Sequence, residues 1–248
     1  MAAALLAPVL RPHMRRLGGG ARTPARVLAS RPLLRLLAIN RDLFLRSLFL
    51  ETAFLALAAA STWQGPVVLA ANSVLKTFFT LSAYGFDGFA HATEALVGRG
   101  VGAGDAAAVR AAVGAGLRNG VAVAPVASVG FWLPGDGLVW LVTDLEEVRA
   151  LALDHLALAA ALPVVSVWAF LLDGDFFGAA CASELRNAMA LSLALFLALL
   201  GALQPALGNT GLWLAFPGLF LARGATLGAV YRRLGPAGLA AAAGVARP

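Results

Sequence analysis

Charge is what this sequence has least of. Only 13% of its 248 residues are Asp, Glu, Lys or Arg, against 60% hydrophobic residues and a mean hydropathy of +0.82. Soluble domains carry roughly 25% charged residues, so this composition excludes a soluble globular protein and points to a membrane protein. A single cysteine, Cys181, excludes an intramolecular disulfide and any cysteine-based metal cluster; within GAACAS it reads as a packing residue. There are three histidines. His13 falls in a basic stretch and His155 near the expected outer surface, so neither is placed to ligate a metal. There is no HExxH, no nucleophile elbow and no Gly-containing calcium loop, and nothing supports an enzyme.

What charge there is has a pattern. The formal balance is +6 with a pI near 10.9, carried almost entirely by arginine. These residues lie before the first apolar run or between runs, so they read as membrane topology and not as a nucleic-acid surface. Residues 1–41 hold eight Arg and no Asp or Glu, with Gly and Pro scattered among them. This is expected to be a basic, flexible segment, and three readings are open: an arm held near anionic lipid, a transit peptide, or a loop left from a longer chain.

Six apolar runs follow, at about Leu43 to Thr62, Pro66 to Val97, Val109 to Leu133, Leu156 to Cys181, Asn187 to Leu203 and Thr210 to Tyr231. A helical span needs about 20 apolar residues. Helices are the only spanning choice, because these runs are too long and uniform for barrel strands and lipid leaves no backbone group unpaired. The expected fold is all-α: one bundle of six transmembrane helices over residues 42–233, with a short tail over 234–248. Arg99, Arg110, Arg186, Arg232 and Arg233 fall in alternate connections, with Arg118 just inside the third run, on the same side as the basic N-terminal segment. The opposite connections are uncharged or, from Pro134 to His155, acidic. Both termini are therefore expected in the cytoplasm. Thr143 to Glu146 has capping-box spacing, which predicts an interfacial helix leading into the fourth span.

The second span carries polar residues at three- and four-residue steps: Lys76, Thr80, Tyr84 or Ala83, Asp87, His91 and Glu94. They predict one polar stripe on a helix. A charged residue at mid-membrane costs about 2.5 to 3.5 kcal/mol on insertion scales, so the stripe is expected to face protein or water. It reads either as a cavity wall or as an interhelical hydrogen-bond seam. Glu51 in the first span and Asp173 and Asp175 in the fourth add carboxylates at depth, suited to a proton or sodium ion. One of them could instead pair statically with Lys76. Asp173 and Asp175 point about 200° apart around a helix, so at most one faces a given cavity. Gly98, Gly100, Gly102 and Gly104 lack the spacing and the preceding strand of a nucleotide loop; they predict a tight turn with Asp105 capping the next helix.

Several strings resemble one family. VLAANSVLKTFFTLSAYGFDGFAHATEALVGRGVGAGD is similar to the start of the second half of MATE (multidrug and toxic compound extrusion) transporters, closest to the DinF-like subfamily. INRDLFLRSLFL, FLLDGDFFGAA, LRNAM and GNTGLWLAFPGLFLARGATL resemble later stretches of the same half in order and spacing, so the likeness covers about residues 33–233. The resemblance implies half of a twelve-helix fold: the C-terminal lobe of a multidrug efflux antiporter of the cell membrane. It implies coupling to H+ or Na+, no organic cofactor, and small amphipathic or cationic xenobiotics as substrate. Glu51 and Asp173 fall at or near positions that NorM-type members use for cation coupling. Lys76, Tyr84, Asp87 and His91 are the candidates for the substrate path. The first-lobe acidic residue of DinF-like members has no counterpart here. The expected partner, besides lipid, is a first-half bundle or a second copy, and a truncated or split half is expected. The alternative is a six-helix scaffold or assembly subunit.

Overall fold

Glycine and proline punctuate described residues that are otherwise almost all helical. The computed structural model describes residues 30–242. It contains α1 (Ser30–Trp63), α2 (Pro66–Ala103), α3 (Ala106–Trp132), the short α4 (Gly135–Val142), α5 (Glu146–Gly178) and α6 (Ala182–Ala242). Readings that concern residues 1–29 and 243–248, including the transit peptide, lie outside the described residues. The chain divides into two units between Arg41 and Asp42. Within the first, residues 30–41 are already helical, as the beginning of α1. All contacts described below belong to the second.

Each boundary has a local cause. Gly65, at φ 113°, takes the backbone where a side chain would strain it, and Pro66 opens α2 with a ring already set for the first helical turn. The helix then runs straight through Gly98, Gly100 and Gly102. It ends only at Gly104, whose left-handed backbone lets its own N–H reach Val101 O and the Asp105 N–H reach Gly100 O. Asp105 caps α3, its Oδ1 accepting from Ala107 N at 2.9 Å and Ala108 N at 3.0 Å. The expected turn is present, but it is a two-residue turn after a longer helix.

Two expectations are corrected. The capping box is not formed: Leu145 is the N-cap of α5, and the Thr143 hydroxyl accepts from Leu145 N at 3.3 Å instead of from Glu146 N. Arg149 holds this connection, donating to Thr143 O at 2.7 Å with its guanidinium 3.5 Å from the Trp140 ring centroid. Because α5 starts at Glu146 and passes unbroken through Pro163, His155 lies well inside the helix. Its side chain is packed inside the bundle, with Nδ1 3.0 Å from Leu151 O and Nε2 3.2 Å from Thr210 Oγ1, two residues past the break at Gly208. The expected connection at Gln204 to Asn209 is also shorter than foreseen. α6 stays helical to its break at Gly208, and a second break falls at Gly235. The stretches 182–207 and 209–234 are thus the fifth and sixth spanning arms, and α1, α2, α3 and α5 are also long and apolar enough to cross a bilayer.

α5 is the hub, packing on α2, α3, α4 and α6. Its tightest neighbour is α2. A Cβ at Gly174 would sit 2.4 Å from Ala90 O, and one at Gly178 would sit 2.4 Å from Glu94 O. Lipid provides no hydrophobic drive between helices, so close backbone approach through small residues is how two such helices gain contact. Toward one end an aromatic core gathers around Phe216, whose ring centroid is 5.5 Å from Phe79 and 5.3 Å from Phe220, with Trp213 and Phe196 beside it. At the other end Val97, Val109, Leu185 and Leu227 pack together, bringing the α2–α3 turn, the α5–α6 turn and the end of the sixth arm side by side. Outward-facing Leu55, Leu141 and Trp63 leave an apolar exterior, as a surface bathed by acyl chains requires.

Candidate functional site

The helix periods bring polar groups from four elements to one place. α1 contributes Arg46, Leu50, Glu51 and Phe54; α2 contributes Lys76, Phe79, Thr80, Ala83, Tyr84, Asp87, Ala90, His91 and Glu94. Phe170, Asp173, Gly174 and Phe177 come from α5, and Phe220 and Arg223 from α6. Together they line a cavity of about 590 Å³. All six residues singled out from sequence, Glu51, Lys76, Tyr84, Asp87, His91 and Asp173, are on its wall. Glu51, Tyr84 and His91 are exposed, so the cavity is open along this side, whereas Asp173 is buried at its back.

Asp173 is the best-partnered carboxylate of the site. Arg46 Nη2 donates to its Oδ2, and Arg223 Nε stands 3.5 Å from its Oδ1. Arg223 is the more deeply buried of the two, with 2% of its side chain exposed. A buried cation is tolerable only when paired and otherwise sheltered, and its guanidinium also lies 5.4 Å and 5.8 Å from the Phe170 and Phe220 ring centroids. Arg46 has Phe177 at 5.3 Å.

Among the described residues Lys76 makes no ion pair with a carboxylate. Lys76 Nζ lies 5.0 Å from the Phe54 ring centroid instead. At the open side His91 Nδ1 is 3.1 Å from Glu94 Oε2. Thr80 turns its hydroxyl back to Lys76 O at 2.9 Å. Asp87 and Glu51 have no ion-pair contact among the described residues. Asp175, as the helix angle required, points away from the cavity and is buried beside Thr93. No cluster of three or more His, Cys, Asp or Glu able to hold a metal ion occurs among the described residues.

Arg223 is the residue that sequence reasoning passed over, although it carried a signal. It is the sole charge in the apolar stretch from Leu212 to Leu227, deep enough to need a partner in the membrane. Arg46 was visible near the start of its span, but nothing in the sequence paired it with Asp173.

Such a constellation, a charged cavity enclosed by long apolar helices, defines an integral membrane protein with an internal polar compartment. The family model described as MatE matches residues 43–202, and the chain belongs to the MatE family. DNA damage-inducible protein F of Escherichia coli (strain K12) is 43% identical over 199 residues, covering 80% of this chain and 43% of that protein. Two solved structures share the fold. One is a MOP superfamily transporter from Pyrococcus furiosus described as having a binding pocket of reverse polarity. The other is a multidrug resistance MATE family transporter in an outward-facing conformation. Each has a TM-score of 0.66 and 19% identity, covering 81% of this chain and 44% of the other. The chain thus spans less than half the length of the relatives it matches.

Proposed function

We propose that this chain is the C-terminal lobe of a cation-coupled multidrug efflux antiporter, driven by H+ or Na+. The single observation that carries the reading is the buried Asp173, held by Arg46 and Arg223 at the back of an open, aromatic-walled cavity. In antiport, a coupling cation and an exported solute must exclude one another. Carboxylates that can exchange partners at the membrane interior supply that property. Glu51 and Asp173 are the cation-coupling residues in this reading, and Lys76, Tyr84, Asp87 and His91 line the path of a small amphipathic or cationic xenobiotic.

The open side of the cavity and the chain's length relative to its relatives support a first-half bundle as partner, or a second copy. Residues 42–233 form the working lobe, and both termini face the cytoplasm of the cell membrane. Support for this orientation comes from the arginine-bearing connections. Those around Arg99, Arg110, Arg186 and Arg232 gather at the end where Val97, Val109, Leu185 and Leu227 pack together. Asp173→Asn in a completed, reconstituted transporter tests the coupling role: gradient-driven efflux is lost with membrane level unchanged, and unaltered efflux overturns the assignment.

A further inference from the structure

The cavity contains two kinds of carboxylate. Asp173 has two guanidiniums to itself, while Asp87 has none in contact. The two residues nevertheless share a neighbourhood. Gly174 lets α5 approach the Ala90 carbonyl so closely that a Cβ there would fall 2.4 Å from it. Asp87, nearly one turn before Ala90, is thereby brought opposite Asp173, and both line the same cavity. Asp87 lies within electrostatic reach of Arg46, Arg223, Asp173 and His91, the charged or titratable groups around it from α1, α6, α5 and its own helix.

The arginines have donors in reserve. A guanidinium offers five N–H groups, and the Nε of both Arg46 and Arg223 is buried without a hydrogen-bond partner. Arg223 Nε makes only the 3.5 Å ionic contact with Asp173, and its Nη1 has nothing better than Met189 Sδ at 3.8 Å. Two such cations around one carboxylate hold one positive charge more than Asp173 can neutralise. Asp87 is another carboxylate on the same wall within electrostatic reach of both arginines.

We infer that Asp87 is the contact for a cationic group of the transported solute, and that Arg46 and Arg223 form a shuttle between Asp173 and Asp87. While Asp173 is charged it keeps both arginines, and Asp87 is free for the solute. When a coupling cation neutralises Asp173, the arginines turn to Asp87 and expel the solute. This rests on the antiporter reading above and gives it a moving part: cation and solute compete without touching the same carboxylate. The aromatic rings of Phe54, Phe79 and Phe170 line the same cavity as Asp87 and suit the apolar body of an aromatic cation.

The test is ethidium binding, read by fluorescence anisotropy, to the full chain in lipid nanodiscs, with asparagine at Asp173 standing for its neutralised form. Asp87→Asn weakens ethidium at least tenfold. Asp173→Asn weakens it comparably, because both arginines move to Asp87. Adding Arg223→Met to Asp173→Asn restores at least part of that loss, since one competitor has been removed. If Asp173 itself held the solute, the second substitution would restore nothing. That result, an unaffected Asp87→Asn variant, or a wild-type chain that does not bind ethidium overturns the inference. Equal helicity and monodispersity of all variants serve as the folding control, and rescue in the double variant cannot arise from misfolding. Failure of the transporter reading looks different. Ethidium binding through Asp87 without gradient-driven movement in the completed transporter overturns transport and leaves this site standing, whereas coupled efflux indifferent to Asp87→Asn does the reverse.

Discussion

Arg223 Nε and Asp173 Oδ1 stand 3.5 Å apart with 2% and 8% of their side chains exposed, joining the sixth spanning arm to α5 through a charge contact inside the bundle. Removing one member of a buried pair strands the other, at a typical cost of about 3–5 kcal/mol. Arg46 remains on Asp173, so Arg223→Ala is expected at or below the lower end of that range. Thermal unfolding in detergent should also show that Arg223→Met with Asp173→Leu costs less than the two single changes added together, because the double change leaves less charge without a partner.

Helix approach at Gly174 makes a sharper steric prediction. A methyl group there would meet the Ala90 carbonyl at 2.4 Å, whereas one at Gly88 would meet nothing within 4 Å. Gly174→Ala should lower the midpoint of thermal unfolding by an amount equivalent to about 1–3 kcal/mol of overpacking. Gly88→Ala should leave it unchanged or slightly raised.

Much of this site is readable from residue spacing alone. The three- and four-residue steps of Lys76, Thr80, Asp87, His91 and Glu94 put them on one helix face, and that face does line the cavity. The angular separation of Asp173 and Asp175 likewise follows from helix geometry and needs no tertiary knowledge. What spacing cannot give is the neighbour across a helix crossing. Whether Asp173 meets Arg46 or Arg223 depends on how the helices cross and on where the break at Gly208 directs the last arm. The same limit applies to His155, whose contact with Thr210 on the last arm has no trace in residue spacing.

At the opposite end from the basic connections, Asn72 is saturated. Its Nδ2 donates to Ser61 Oγ and Asn209 Oδ1, both at 2.8 Å, and its Oδ1 accepts from Asn209 Nδ2 at 3.0 Å and Trp213 Nε1 at 2.8 Å. This network ties α1 and α2 to the residues just after the Gly208 break. Asn72→Ala leaves buried Asn209 and Trp213 groups without their partner, at about 1–3 kcal/mol for each group left unsatisfied. A lowered thermal midpoint checks it, and Ser73→Ala, at an exposed neighbouring position, should have little effect.

Cys181, between α5 and α6, is the sole cysteine and is buried. Burial, with the nearby Glu184 carboxylate adding to it, pushes its thiol up from 9.0 to about 11. Thiolate is the reactive form, so the folded protein should react slowly with maleimide at pH 7 to 8. The rate should rise as pH climbs toward 11 and should jump on denaturation. Rapid labelling of the native chain at neutral pH would contradict this packing.

The most direct measurement of the central claim is ethidium movement in proteoliposomes holding this chain together with a first-half bundle, under an imposed proton or sodium gradient. The account predicts gradient-driven efflux that needs both components and disappears with Asp173→Asn. Absence of gradient-driven movement from the paired lobes, or efflux unchanged by Asp173→Asn, would contradict it.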